Sequence, residues 1–147
     1  MSRCYFLTCF VLRVLNVSHV YMDGRAMEFP DETFDVVIDK GALDAILCLD
    51  GPTWNAWKYL SEVSRVLRLH GVYIVVSHGK PVHRYMYLRL EVYGWEVQTF
   101  TVQKPMMGMT TSVSTVDCEN VHYIYVCKKG CVSSRGSARE VKRRRVS

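Results

Sequence analysis

The fold is decided by residues 21–46, YMDGRAMEFPDETFDVVIDKGALDAI, where two short strand-forming segments each run into an acid. The first segment is 17–22, and Asp23 follows it. After a turn at a proline, the β-branched run 34–38 is suited to a strand buried on both faces, and Asp39 follows it. Ligands of open α/β sheets bind outside the carboxyl ends of the strands. The stretch therefore predicts an α/β fold with a ligand site at that edge of a parallel sheet.

The length and composition favour one globular domain. A chain of 147 residues is long enough to bury roughly two thirds of its unfolded surface, and no run approaches the roughly 18 apolar residues of a membrane span. The net charge of +5 is concentrated at one end. From Lys128 onward there are eight Lys and Arg residues and one acid, whereas residues 1–127 carry eleven Lys and Arg residues and thirteen acids. A basic nucleic-acid-binding face on the fold itself is therefore not supported.

The six cysteines favour a reducing, intracellular compartment. They show no Cys-x-x-Cys spacing, and Cys48 lies in an apolar segment where a free thiol behaves as a small hydrophobe. His122, Cys127 and Cys131 lack a fourth nearby ligand and the usual zinc spacing, so we predict no metal site. We expect a cytoplasmic protein. The basic run 142–145 leaves a nuclear address, or weak binding to RNA phosphate, as alternatives to a solvated tail.

The two ends of the chain differ from its middle. Residues 1–16 contain a short apolar run that is either a buried strand or helix remnant or a secretory signal. We prefer the remnant because Thr8 interrupts the run and no small-x-small cleavage site follows; the sequon at 16–18 matters only if the segment is a signal. The Ser/Gly/Arg-rich residues 130–147 are expected to be disordered, which leaves 17–129 as the folded domain.

A helix is predicted after the central stretch, with Thr53 or Asp50 as its cap and Gly71 at its end. Glu62 and Arg65 are expected to pair at i,i+3 on its side. Its apolar stripe comprises Trp57, Leu60, Val63 and Leu67. The elements that follow are a strand at 72–77, a helix from 80 to 93, a strand at 95–102, a loop at 105–120 and a strand at 122–128.

Residues 29–37, Phe-Pro-Asp-x-x-Phe-Asp-Val-Val, resemble the segment between the third and fourth strands of S-adenosylmethionine (SAM)-dependent methyltransferases of type 11, which have a Rossmann-like fold. Residues 39–45, Asp-Lys-Gly-x-Leu-Asp-Ala, are more similar to the eukaryotic protein-lysine methyltransferases that modify translation elongation factor one alpha. The resemblance implies SAM as the cofactor, a protein substrate such as a translation factor, and an antiparallel hairpin at the end of the sheet.

By this resemblance, the first acid lies at the adenine end of the cofactor. The carboxylate of Asp23 would accept a hydrogen bond from the adenine amino group, with the backbone of Gly24 and Arg25 beside it. The alternative is that Asp23 only stabilises the turn in which it lies.

The second acid lies, by the same resemblance, at the methyl-donating end. Backbone carbonyls at Asp39 and Lys40 would hold the ammonium group of the cofactor, and Gly41 would allow it to approach closely. Asp39 is also the candidate catalytic acid, which would orient an amine nucleophile; the alternative is that it caps the following helix while Lys40 is solvated. Asp44 faces either a substrate amine or the surface. In-line methyl transfer needs mainly proximity and orientation, so no catalytic triad is expected.

Aromatic and sulfur side chains are further candidates for the substrate entrance. Trp54 and Trp57 could form an aromatic wall around a lysine through cation–π contacts, although for Trp57 we prefer the apolar stripe. The methionines at 106, 107 and 109 either line an entrance or pack within their loop.

The resemblance covers residues 17–129 and departs from the family at its start. The opening strand, the glycine-rich turn and the second strand of the family are not found, and in the family's sheet those two strands lie between the third and the fourth. Where the family has Pro-Gly-Gly, this chain has Leu-His-Gly at 69–71, which predicts a less tight turn. We therefore expect an incomplete Rossmann-like sheet in a truncated chain that folds poorly alone and binds SAM weakly or not at all. The predicted function is SAM-dependent methyl transfer to a protein lysine; the alternative is a non-catalytic remnant or interaction module.

Overall fold

The structure is a computed structural model that describes residues 7–13, 16–104 and 121–130. In chain order the elements are β1 (Leu7–Arg13), β2 (Asn16–Met22), β3 (Phe34–Lys40), α1 (Ala42–Leu47), α2 (Pro52–Val66), β4 (Leu67–Ser77), α3 (Pro81–Leu88), a 3-10 turn (Glu91–Tyr93), β5 (Trp95–Gln103) and β6 (Val121–Lys129). The predicted methionine loop and basic tail lie outside the described residues, apart from Gly130. None of the described helices is long and apolar enough to span a bilayer.

Four of the described strands form one mixed sheet in the order β3-β4-β6-β5. β3 and β4 are parallel because α1 and α2 connect them, which is the usual requirement for a parallel pair. β6 is antiparallel to both of its neighbours, so β5 and β6 form the antiparallel hairpin that the resemblance predicted. The predicted α/β architecture with an incomplete Rossmann-like sheet is therefore confirmed.

The position of β2 differs from the sequence-based expectation. β2 does not lie in the sheet of β3; it pairs with β1 in a separate antiparallel sheet whose register runs from Leu7↔Met22 to Arg13↔Asn16. Backbone N–H and C=O groups need partners, and among the described residues β1 is the strand available to β2. β3 consequently lies at an edge of the four-stranded sheet.

The core lies between α2 and one face of the sheet. The buried side chains of α2 are Ala56, Tyr59, Leu60, Val63 and Val66. The sheet contributes Val37, Tyr73, Val75, Tyr125 and Cys127 to the same cluster. Leu60 and Val63 of the predicted stripe are confirmed, but the prediction for Trp57 is wrong, since 42% of this side chain is exposed. The helix turns the small Ala56 toward the sheet instead, which places Trp57 on the outer side.

α2 is shorter than predicted at its end and capped differently at its start. The helix ends at Val66, five residues before the expected stop, and the chain continues directly into β4. The residue at the N-cap is Gly51, with φ 70°, and no side-chain cap hydrogen bond forms, so neither Thr53 nor Asp50 is the cap. The predicted helix from 80 to 93 likewise ends early, at Leu88, and a separate 3-10 turn follows.

Residues 69–71, Leu-His-Gly, stand where the family has Pro-Gly-Gly, and they form an irregular stretch within β4. The parallel register jumps from Phe34↔Leu67 to Val36↔Val72, so β4 carries extra residues at this point. His70 has φ 66°, in the left-handed region that favours glycine. The chain therefore adopts a glycine-like backbone at a position that holds histidine.

Candidate functional site

The candidate site lies at the edge of the sheet where β3 and β4 end. Because these strands are parallel and α2 connects them, α2 begins at this same edge. The loop after β2 is attached there through Arg25, whose Nη1 donates to Oδ1 of Asn55 in the first turn of α2 at 2.7 Å. The structure thus brings the ends of β2 and β3 to one edge, although the two strands belong to different sheets.

The side chain of Asp39 is buried and fully engaged within the protein. Its carboxylate accepts hydrogen bonds from the backbone N–H groups of Ala42 (2.6 Å) and Leu43 (3.0 Å) at the start of α1. The hydroxyls of Tyr59 and Tyr73 donate to Oδ2 at 3.0 and 2.8 Å. Burial raises the pKa of Asp39, and these four hydrogen bonds act against that shift. With 2% of the residue exposed, the geometry matches the capping alternative.

Gly41 provides an open position at the end of β3. Its φ of 78° lies in the left-handed region, and its N–H donates to the carbonyl of Val76 at 3.0 Å, which fixes the turn into α1. A Cβ built on Gly41 would meet no atom within 4 Å. The neighbouring Lys40 is exposed. Space beside the backbone of this turn is the property that close approach of a ligand requires.

Asp44 is tied to the loop that follows β4. Its carboxylate pairs with Arg84 of α3 (Nη2–Oδ1 2.8 Å) and accepts hydrogen bonds from the Ser77 hydroxyl and from the His78 N–H (2.9 Å). Burial opposes ionisation of Asp44, but the hydrogen bonds from Ser77, His78 and Arg84 together hold its pKa below the usual value. Asp44 therefore joins α1, α3 and the end of β4, and a substrate amine would have to compete with Arg84.

Asp23 lies in a tight local turn at the end of β2. The Arg25 side chain reaches it in bidentate fashion, with Nε–Oδ1 at 3.0 Å and Nη2–Oδ2 at 2.7 Å, and the Arg25 N–H donates to Oδ1 at 2.9 Å. The side-chain hydrogen bond from Arg25 lowers the pKa of Asp23. Gly24 is buried between them, while the Asp23 side chain is 43% exposed. The contacts of Asp23 in this structure are those of the alternative in which Asp23 stabilises its turn. Because its side chain is partly exposed, the carboxylate is still accessible to a further hydrogen-bond donor.

Trp54 and Trp57 form an exposed stacked pair on the first two turns of α2. Their ring centroids are 5.1 Å apart with the planes inclined by 18°, and Lys58 Nζ lies 5.0 Å from the Trp54 centroid. The pair stands at the edge where α2 begins, so the aromatic wall remains compatible with the structure.

Sequence reasoning missed the residues that hold these candidates in place. Tyr59 and Tyr73 bury Asp39, and Arg84 holds Asp44, but each contact joins segments far apart in the chain. The signal that could have indicated them was a tyrosine hydroxyl or an arginine guanidinium within a segment that is otherwise apolar. The predicted pair of Glu62 and Arg65 is confirmed, with Nη2–Oε2 at 2.8 Å.

Comparison with known proteins finds sequence relatives for part of this chain. Residues 9–75 match the family model described as "Methyltransferase domain". A mouse protein named EEF1A lysine methyltransferase 4 is 36% identical over 88 residues, which cover 54% of this chain and 34% of the relative. A human protein named eEF1A lysine and N-terminal methyltransferase is 41% identical over 71 residues, covering 47% of this chain and 10% of the relative. The chain thus matches about a third of the first relative's length and about a tenth of the second's.

Solved structures share the fold at low sequence identity. A candidate DNA modification methylase from Thermus thermophilus has a TM-score of 0.52 and 18% identity, covering 80% of this chain and 54% of that one. A structure of the Thermus protein complexed with S-adenosyl-L-methionine has a TM-score of 0.50 and 16% identity, covering 82% and 56%. Sequence similarity to a methyltransferase domain therefore covers residues 9–75, just under half of this chain, and the Thermus structures show that the chain shares their fold.

Proposed function

We propose that this chain contributes the cofactor site of a SAM-dependent methyltransferase that modifies a protein lysine. The observation that carries the proposal is the open backbone turn at Gly41, at the carboxyl end of β3 and within the segment that matches the methyltransferase domain. The relatives' names, which specify lysine of the translation factor eEF1A, support a protein lysine as the methyl acceptor.

In this proposal, the residues at this edge would bind the two ends of the cofactor. Asp23 offers an exposed carboxylate oxygen for the adenine amino group, with Gly24 and Arg25 beside it. The turn at Gly41 offers open space for the amino-acid end, and the backbone carbonyls of Asp39 and Lys40 would hold its ammonium group. When bound, SAM supplies an activated methyl group on its sulfonium.

Asp39 acts, in this proposal, by positioning rather than by proton transfer. Its buried carboxylate holds the first N–H groups of α1 and two tyrosine hydroxyls, which fixes the start of α1 and thereby the turn at Gly41. Asp44 acts similarly on the loop after β4. Catalysis then consists mainly of holding the acceptor amine in line with the methyl group, which needs geometry more than a strong base.

The proposed setting is the cytoplasm, where a translation factor would be the substrate. Cys48 and Cys127, the two cysteines whose side chains are described, are both free thiols, as expected in a reducing compartment. The nuclear alternative rests on the basic tail, whose residues lie outside the described part of the chain.

Calorimetric titration of the purified chain with SAM tests the proposal directly, followed by transfer of a radiolabelled methyl group from SAM to purified eEF1A. We expect weak but saturable binding, and a transferred label that disappears when the lysines of eEF1A are chemically blocked. A folded chain that shows no heat of binding and no transfer would contradict the proposal.

The second candidate is a non-catalytic interaction module, and the separate pairing of β1 and β2 favours it. In the described residues this pairing leaves β3 at the sheet edge, a position where another chain could add a strand. A folded chain without SAM binding would support this candidate. That the chain is a truncated form of the methyltransferase domain stays a prediction.

A further inference from the structure

We propose that α2 positions the cofactor-facing loop, and that Arg65 and Glu62 are positioning residues for SAM binding. The loop in question is residues 23–33, which connects β2 to β3 and carries the candidate adenine ligand Asp23. The cofactor part of this inference rests on the proposed function, whereas the ordering of the loop by α2 can be tested without it.

The guanidinium of Arg65 reaches the loop at three points. Nη1 donates to the carbonyl oxygen of Phe29 and to Oδ1 of Asp31, both at 2.7 Å, and Nη2 donates to the carbonyl oxygen of Met27 at 2.9 Å. Glu62 holds the guanidinium from its other side through Nε–Oε1 and Nη2–Oε2 contacts, both 2.8 Å. The planar, five-donor fork of arginine suits this set of acceptors, and the single ammonium of lysine does not reproduce it.

Glu62 also contacts the loop itself. Its Oε2 accepts the N–H of Met27 at 2.7 Å, so Met27 has both its N–H and its C=O bound to side chains of α2. The backbone of Arg65 contributes as well, since its carbonyl oxygen accepts the N–H of Glu32 at 2.9 Å. Four main-chain groups of the loop are therefore held by a single helix.

A third residue of α2, Asn55, makes the contact closest to the candidate cofactor site. Asn55, in the first turn of α2, accepts a hydrogen bond from Arg25, which in turn grips Asp23. The contacts of Asn55, Glu62 and Arg65 thus run along one side of α2 and fix the loop from its start to its far end. Their burial suits this role, because the side chains of Glu62 and Arg65 are 20% and 30% exposed.

The alternative is that these contacts stabilise the domain without affecting the cofactor. Two matched controls separate the possibilities. Arg68, just beyond α2, also binds the loop, but at Glu32 near its far end and at Asp35, and it is half exposed. Val63 is buried in the core face of α2, so Val63→Ala lowers stability without removing a loop contact.

The experiment compares Arg65→Lys, Arg68→Lys and Val63→Ala in the full chain. Two quantities are measured: SAM affinity by calorimetry, and amide hydrogen exchange at Met27 relative to Tyr73 in the core. We expect Arg65→Lys to weaken SAM binding by roughly tenfold and to speed Met27 exchange by a similar factor, because losing one or two of the hydrogen bonds that hold the loop makes the ordered loop about that much less populated. Arg68→Lys and Val63→Ala should leave the SAM affinity, and the exchange rate of Met27 relative to that of Tyr73, near the values of the unmodified chain.

Three results would overturn the inference. The first is unchanged SAM affinity in Arg65→Lys, the second is an equal loss of affinity in Val63→Ala, and the third is Met27 exchange that does not respond to Arg65→Lys. If the unmodified chain itself binds no SAM, the proposed function fails, and the exchange measurement alone decides whether α2 orders the loop.

Discussion

Replacing Gly41 with alanine tests the cofactor site most sharply, because the chain contains a matched control. Gly41 and Gly51 are each the N-cap residue of a helix, with φ 78° and 70°, and a Cβ on either would meet no atom within 4 Å. Left-handed backbone costs an L-residue roughly 1–2 kcal/mol. Each substitution should therefore lower the free energy of unfolding by about the same amount, which corresponds to roughly 2–8 °C in Tm for a chain of this size.

The two variants should differ in their affinity for SAM. A methyl group at Gly41 would enter the space proposed for the cofactor, and crowding of this kind costs roughly 1–3 kcal/mol, or about 5- to 160-fold in Kd. A methyl group at Gly51 would remain outside it. Calorimetric titration with SAM and thermal unfolding of both variants give the required numbers. If Gly41→Ala binds SAM as tightly as the unmodified chain, or if Gly51→Ala loses as much affinity, the placement of the cofactor at Gly41 is refuted.

Three further substitutions test other parts of the structure. Asp23→Ala should weaken SAM binding by roughly 1–3 kcal/mol with little change in Tm, and unchanged calorimetric affinity would remove Asp23 from the site. Asp44→Asn should cost about 2 kcal/mol in urea unfolding at pH 7. Because the folded pKa of Asp44 is lowered from 3.8, its contribution is present above that pH and disappears as the pH falls through the folded value, so the two unfolding curves should converge in acid. His70→Gly should raise the free energy of unfolding by about 0.5–1 kcal/mol, since it relieves a left-handed histidine; a loss of stability would show that the imidazole has a compensating role.

Local pattern was sufficient to predict the strand and turn at the centre of the site. The β-branched run before Asp39 identified β3, and the glycine two residues later marked the turn into α1. Both features depend on residues close together in the sequence, where a β-branched run and the backbone preference of glycine decide the outcome. The expected burial of β3 on both faces is wrong, because Val36 and Ile38 are about half exposed at the edge of the sheet. The same holds for the pair of Glu62 and Arg65, one helical turn apart.

Long-range contacts could not be predicted in the same way. Nothing in the sequence indicates that hydroxyls 20 and 34 positions beyond Asp39 converge on its carboxylate, yet these contacts make the residue a buried cap. The pairing of β2 was missed for a similar reason, because strand alternation specifies a face but not a neighbour. Trp57 was misplaced since an apolar residue at helical spacing fits either of two adjacent stripes, and only packing against the sheet selects Ala56.

The order of the strands has a consequence for synthesis on the ribosome. β6 is the last described strand to be translated, but it lies inside the sheet, between β4 and β5. Until it emerges, β5 has no partner in the sheet, and α2 lacks Lys129, whose Nζ binds the carbonyl oxygens of Ser64 and Leu67, both at 2.7 Å, at the helix end. The sheet therefore cannot assemble progressively from the N-terminus, and its closure awaits one late strand that forms contacts distant in sequence. Until β6 emerges, the nascent chain exposes the unpaired edges of β4 and β5, and chaperones protect such edges from aggregation.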